Sequence, residues 1–254
     1  MKTDSIFYQL FETLPNVLFE LIGQPPFDSR GYEFKPVEIK ETLNSIDGVF
    51  VPAARTRHPI YFAEVEHRFD ENFYYRFFTD IFLYLGQNKP NRDWLAVAIY
   101  IRRSIEPAVP RPYHWLIESS HVKRVYLDEL GETANQSVGL GTIKLIVENE
   151  ATAKQQAKQV IENVRQLKEP ALKQKVWELI ETILVWKFPQ LKIQELETMF
   201  ELNSLKQSRL YQEAKQEGKL EAVPSLLGLG LTVEQIAEAL RLDIETVKQA
   251  AKRS

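Results

Sequence analysis

The chain has 254 residues, a formal net charge of −3 and no cysteine. These values exclude disulfides and thiol catalysis, and no global field marks a nucleic-acid partner, so any such site must be a local patch. Hydrophobic residues make up 44% and charged residues 26% of the chain, with only four histidines, a balance that suits a globular core and argues against a classical zinc centre.

In chain order, Asp4 is expected to cap a first helix whose apolar residues Ile6, Phe7, Leu10, Phe11 and Leu14 follow helical spacing. Pro15 begins a second helical run through Val17, Leu18, Leu21 and Ile22, ended by Gly23, and Glu20 lies inside it. By its residues alone Glu20 reads as a solvated position. Gln24 to Gly31 is a loop by its prolines and glycine. Glu33 to Leu43 alternates around Phe34, Val37 and Ile39, as an edge strand does.

The central stretch runs from Ser45 to Asp80. Ser45 to Val51 reads as a strand carrying one acid, Asp47, and Pro59 to His67 as a second strand carrying Glu64 and Glu66. Side chains alternate across a strand, so Glu64 and Glu66 share a face while Tyr61, Ala63 and Val65 take the other. Paired as neighbours, the two strands bring three carboxylates together, an oxygen-only set that suits Mg²⁺ or Mn²⁺. An amphipathic hairpin with solvated acids is the alternative. The loop between the strands holds Arg55, Arg57 and His58, and an aromatic helix over Asn72 to Leu85 follows. Beside an acidic metal centre, that basic loop could grip a DNA phosphate.

Trp94 to Ile101 is apolar throughout and predicts a central strand buried on both faces. Arg102 and Arg103 follow it, then a proline-bearing loop and a strand over His121 to Leu127. Gly139 to Glu148 fits either a strand or a helix start. From Glu150 glycine becomes scarce, and Ala151 to Leu167 and Ala171 to Trp186 read as amphipathic helices separated by Pro170. Helical propensity continues from Leu191 to about Leu220 with a break near Asn203. Three short helical runs end the chain: Leu220 to Leu227, Thr232 to Leu240 and Ile244 to Ala251. Thr232 and Asp243 are N-caps, and Ile236, Ala237, Leu240, Leu242 and Val247 fit a helix-turn-helix core. Such a tail docks on DNA by its last helix or serves as a packing module.

The order Asp47, then Glu64-Val65-Glu66, then a helix with Phe73-Tyr74-Tyr75-Arg76-Phe77-Phe78 resembles the PD-(D/E)XK nuclease superfamily. The opening MKTDSIFYQLFETLPNVLFELIG and the tail EGKLEAVPSLLGLGLTVEQIAEAL extend the likeness to its recombination-promoting nuclease and transposase-like group. The resemblance implies a restriction-endonuclease-like α/β fold, a mixed central sheet flanked by helices with a helical C-terminal region. It further implies Mg²⁺-dependent (or Mn²⁺-dependent) hydrolysis of DNA. Asp47 and Glu64 would bind the metal, Glu66 would position the attacking water or add a ligand, and Glu20 would tune the site from its helix. The superfamily usually places lysine, and this group often glutamine, where this chain has Glu66. Arg68 or Arg76 could restore the missing positive charge.

The expected organisation is a nuclease-like core over residues 1–150, a helical extension over 151–219 that packs on it, and a small helix-turn-helix-like tail over 220–254. The expected partner is DNA, with no membrane; a homodimer is admitted. No apolar run is long enough to span a bilayer, and no signal-peptide layout opens the chain, so a cytoplasmic protein is expected. The alternatives are a catalytically weakened DNA-binding accessory protein of a mobile element and a structural or interaction protein.

Overall fold

Five strands form one mixed sheet in chain order: β1 (Tyr32–Glu38), β2 (Ser45–Pro52), β3 (Ile60–Glu66), β4 (Trp94–Tyr100) and β5 (Val122–Tyr126). The computed structural model describes residues 3–24, 31–38, 45–53, 56–202, 219–220 and 222–252. β1, β2 and β3 pair antiparallel, whereas β3, β4 and β5 run parallel. Parallel neighbours need a crossover, and α3 (Phe73–Asn88) and α4 (His114–Glu118) lie in the two connections. The fold is therefore α/β with a mixed sheet flanked by helices.

Alternation along the strands decides which helix each face meets. Phe73, Tyr74, Phe77, Phe78, Ile81 and Tyr84 recur at helical spacing, and α3 buries them against Val49, Ile60, Phe62, Ala96, Ala98 and Tyr100. On the other face, α1 (Thr3–Thr13) and α2 (Asn16–Leu21) bring Phe11 onto Phe50 and Phe19 onto both Phe50 and Tyr61. Ala96 to Tyr100 are fully buried between these layers, as the unbroken apolar run of β4 predicts. Helix α1 already begins at Thr3, so Asp4 lies in its first turn and not ahead of it as a cap. Gly23, at φ +70°, follows α2 in the left-handed region that glycine enters freely.

Gly139 to Glu148, which fitted two readings, belongs to a helix, α5 (Val138–Val147). Its start is fixed by Ser137, whose Oγ accepts the Leu140 N–H at 3.2 Å. The helices α6 (Glu150–Arg165) and α7 (Pro170–Lys187) follow, the first capped by the Asn149 side chain and the second opened by Pro170.

β2 contains the irregularity that shapes the site. Its register with β1 shifts between Lys35 and Val37, where β2 spends one residue more than its partner, around Asp47 and Gly48. Such a bulge re-aims a side chain. Gly48 is required there, because a Cβ would lie 2.7 Å from the Phe34 ring and 3.3 Å from the Phe50 ring.

The chain forms two compact units, Met1–Gln190 and Leu191–Ser254. In the second, α8 (Ile193–Phe200) precedes a helical run at 222–228, then α9 (Val233–Leu240) and α10 (Ile244–Lys252). The expected break near Asn203 lies outside the described residues. Thr232 caps α9 reciprocally with Gln235, and Asp243 accepts the Thr246 N–H at 3.1 Å. Val223, Ile236, Ala237 and Val247 form the small core, with Leu240 and Leu242 packed against it. Among the described residues, no helix is long and apolar enough to cross a membrane.

Candidate functional site

At the end of the sheet where β3 and β4 finish, Asp47 and Glu64 come together. The last antiparallel partners are Gly48 and Ala63; beyond them side chains replace the backbone ladder. The Asp47 N–H donates to Glu64 Oε2 at 3.2 Å, and the Val65 N–H donates to Asp47 Oδ2 at 2.9 Å. The bulge thus turns Asp47 toward β3.

Glu64 and Glu66 lie on the α3 side of the sheet, in step with Ile60 and Phe62. There they straddle Arg76, from the first turn of α3. Arg76 Nη1 donates to Glu64 Oε1, and Nη2 donates to Glu66 Oε1 at 2.5 Å, with Asp70 Oδ2 at 3.4 Å. Arg76 reaches this point because it lies beside the buried stripe of α3, near the strand end. Asp70 is held in the preceding turn, where its Oδ1 accepts the Asn72 N–H at 2.9 Å.

The cluster brings the carboxylates of Glu64, Glu66 and Asp70 to one guanidinium, with Asp47 beside Glu64. Burial raises Glu64 well above the ordinary 4.5, and the Asp47 charge raises it further; Arg76 and the Asp47 N–H only partly offset this. Burial also raises Glu66, against the pull of Arg76. Burial acts to lower Arg76, but the charges of Glu64 and Glu66 prevail and it stays firmly protonated. Arg76 is the cation bonded to Glu64, Glu66 and Asp70.

Among the described residues, no three His, Asp or Glu side chains form a cage around a single point. Asp47 and Glu64 adjoin, and Glu66 is bonded to the other Nη of Arg76. This donor set fits a hard cation such as Mg²⁺, which takes one or two carboxylates and completes its shell with water and phosphate oxygens. It does not fit a closed, all-protein cage.

Three expected site residues lie elsewhere. Glu20 is on α2, over the Phe50 and Tyr61 face, and the Ser137 hydroxyl donates to its Oε2. It ties α2 to the cap of α5. Arg57 is exposed in the β2–β3 loop, at the opposite end of these strands from Asp47. Glu64 is four residues beyond the start of β3, or about 13 Å at the usual strand rise. The antiparallel pairing puts the loop at the other end, so it does not flank the acids. That loop is held by Arg92, whose guanidinium donates to the carbonyls of Thr56 at 2.6 Å and Ala53 at 3.2 Å. Arg55 lies outside the described residues. Arg68 is exposed two positions beyond Glu66.

A second carboxylate, Glu106, escaped the sequence reading. It follows β4, and it accepts from the hydroxyls of Tyr74 at 2.7 Å and Tyr126 at 2.5 Å and from Arg124 Nη1 at 3.1 Å. Its partners lie 32, 20 and 18 positions away in sequence; no local pattern announces them.

A family model described as "Protein of unknown function (DUF2887)" matches residues 3–200. No curated protein and no solved structure matches the chain.

Proposed function

The chain belongs to the DUF2887 family, and we propose that it is a divalent-metal-dependent DNA endonuclease of the PD-(D/E)XK type. The observation that carries this reading is the Asp47–Glu64 pair at a β-bulge, in which burial and then the Asp47 charge raise the pKa of Glu64. A dication between the two carboxylates would relieve the repulsion that Asp47 exerts on Glu64.

In this reading Asp47 and Glu64 hold Mg²⁺ or Mn²⁺, and the bulge fixes Asp47 at the angle needed. The metal, when bound, lowers the pKa of a water and stabilises charge at the scissile phosphate. Glu66 takes up the proton of the attacking water, a task for which its raised pKa makes it a better base than an ordinary glutamate. Arg76 supplies the positive charge that lysine brings in related enzymes, and its permanent protonation suits it to a phosphate oxygen. The biological setting suggested by the resemblance is recombination or transposition, in the cytoplasm.

Two measurements test the proposal. Calorimetric titration should detect Mg²⁺ binding that Glu64→Ala removes, and the wild-type chain should nick supercoiled plasmid only with Mg²⁺ or Mn²⁺. Metal binding without nicking would mark a catalytically weakened relative. Absence of both would leave the cluster as a structural ion network neutralised in part by Arg76.

A further inference from the structure

Both oxygens of Glu64 already carry donors, the Asp47 N–H on Oε2 and Arg76 Nη1 on Oε1. Each oxygen keeps a second lone pair, but a cation on Oε1 would sit against the Arg76 guanidinium as a like charge, so metal binding there favours loss of one of these donors. The Asp47 N–H is backbone within the bulge and cannot leave without undoing β2. Arg76 is on a long side chain, 28% exposed, whereas the Glu64 side chain is 6% exposed.

We propose that Arg76 is a gate: it occupies Glu64 at rest and yields that carboxylate to a divalent cation by moving onto Asp70. The inference rests on the metal reading above. Asp70 suits the role of landing place. Its Oδ2 is already 3.4 Å from Arg76 Nη2, just outside ordinary hydrogen-bond length, and its side chain is 30% exposed. Its Oδ1 stays fixed by the Asn72 N–H, so the carboxylate does not follow the guanidinium. Glu66 retains its hold on Nη2 throughout. The movement thus exchanges one carboxylate for another and never leaves the guanidinium unpaired. In the moved position Arg76 remains within the cluster, facing the more exposed side from which a phosphate arrives.

The test uses Mn²⁺ as the probe on the full chain, with binding read from the electron paramagnetic resonance of free Mn²⁺ and stability from thermal denaturation with and without the ion. Arg76→Gln should lower the melting temperature without Mn²⁺ and bind the ion at least about tenfold more tightly, since a like charge beside the cation is gone. Asp70→Asn, which keeps the acceptor for Asn72, should bind Mn²⁺ several-fold more weakly than wild type. Glu71→Gln removes an equal, exposed charge next door and controls for long-range attraction; it should change affinity less than Asp70→Asn. In the Arg76→Gln background, Asp70→Asn should lose its excess over Glu71→Gln. Equal affinity in wild type, Arg76→Gln and Asp70→Asn overturns the gate and leaves the metal pair standing. Absence of Mn²⁺ binding in every variant overturns the metal reading and the gate with it. Should Arg76→Gln not fold, the contrast between Asp70→Asn and Glu71→Gln decides alone: equal effects overturn the gate.

Discussion

The first turn of α3 serves two carboxylate sites, Arg76 reaching Glu64 and Glu66, and Tyr74 reaching Glu106. Both sites lie at the end where β3 and β4 finish, and Glu66 and Tyr100 are partners in register there. Glu106 takes donors on both oxygens, two hydroxyls and a guanidinium. Burial alone would push its carboxyl up, yet the hydrogen bonds from Tyr126, Tyr74 and Arg124 hold it below the ordinary 4.5. Glu64 accepts two donors, and its deeper burial, followed by the charge of Asp47, moves its pKa the other way. A buried acid is therefore not in itself a sign of chemistry. The separating feature is whether its surroundings complete its charge or leave it in deficit.

The largest expected effect lies in activity. Asp47→Ala or Glu64→Ala should cost at least about a hundredfold in Mg²⁺-dependent plasmid nicking, the scale of losing a metal ligand. Glu106→Gln should leave nicking within about a factor of two at a temperature where the variant is folded. Comparable losses from both sites would erase the distinction between them.

Stability should divide the sites the opposite way. By chemical denaturation at neutral pH, Glu106→Gln should destabilise the first unit by about 1–3 kcal/mol, the cost of weakening charge-assisted hydrogen bonds to a partly buried carboxylate. The effect should depend on pH with a defined sign. Because Glu106 is lowered from 4.5 in the folded state, its contribution is present above that value and is lost as the pH falls through its folded pKa. The gap between wild type and Glu106→Gln should therefore stay constant from neutral pH to about 5 and close below 4.5. Glu64, being raised, opposes folding increasingly as the pH climbs above 4.5.

The smallest effect sharpens the contrast. Asp47→Asn keeps an oxygen for the Val65 N–H and removes the charge that repels Glu64. Without metal, it should stabilise the chain by a few tenths to about 1 kcal/mol, measured by denaturant midpoint. A clear loss of stability would mean that Asp47 is not repelled where it sits.

Much of this arrangement is legible in sequence, and the failures have physical reasons. Period-two alternation identifies β3 and puts Glu64 and Glu66 on one face, and the uninterrupted run of β4 announces a strand covered on both sides. The position of Arg57 is misjudged because nearness in sequence is not nearness in space. A hairpin loop adjoins both strands, yet it lies at one end while residues near the outer termini, Asp47 and Glu64, meet at the other. Glu20 lies on α2, which covers the face opposite α3, and helical spacing alone does not say which face a helix will take. The ambiguity at Gly139 came from two glycines within a helix; Ser137 just ahead of it was the available signal. Glu106 was invisible because three unrelated segments create its environment.

Gly48 has a consequence for anyone who maps this chain by saturation mutagenesis. It has no group that could bind, donate or ionise through a side chain, and its importance lies in the space between the rings of Phe34 and Phe50. A side chain there would press on both rings and shift the strand that presents Asp47. Selection for function should therefore score Gly48 among the indispensable positions, indistinguishable by fitness from its charged neighbour. Paired changes that shrink Phe34 should restore tolerance at Gly48 and leave Asp47 as intolerant as before. Compensation, and not depletion alone, separates the residue that makes room from the residue that makes contact.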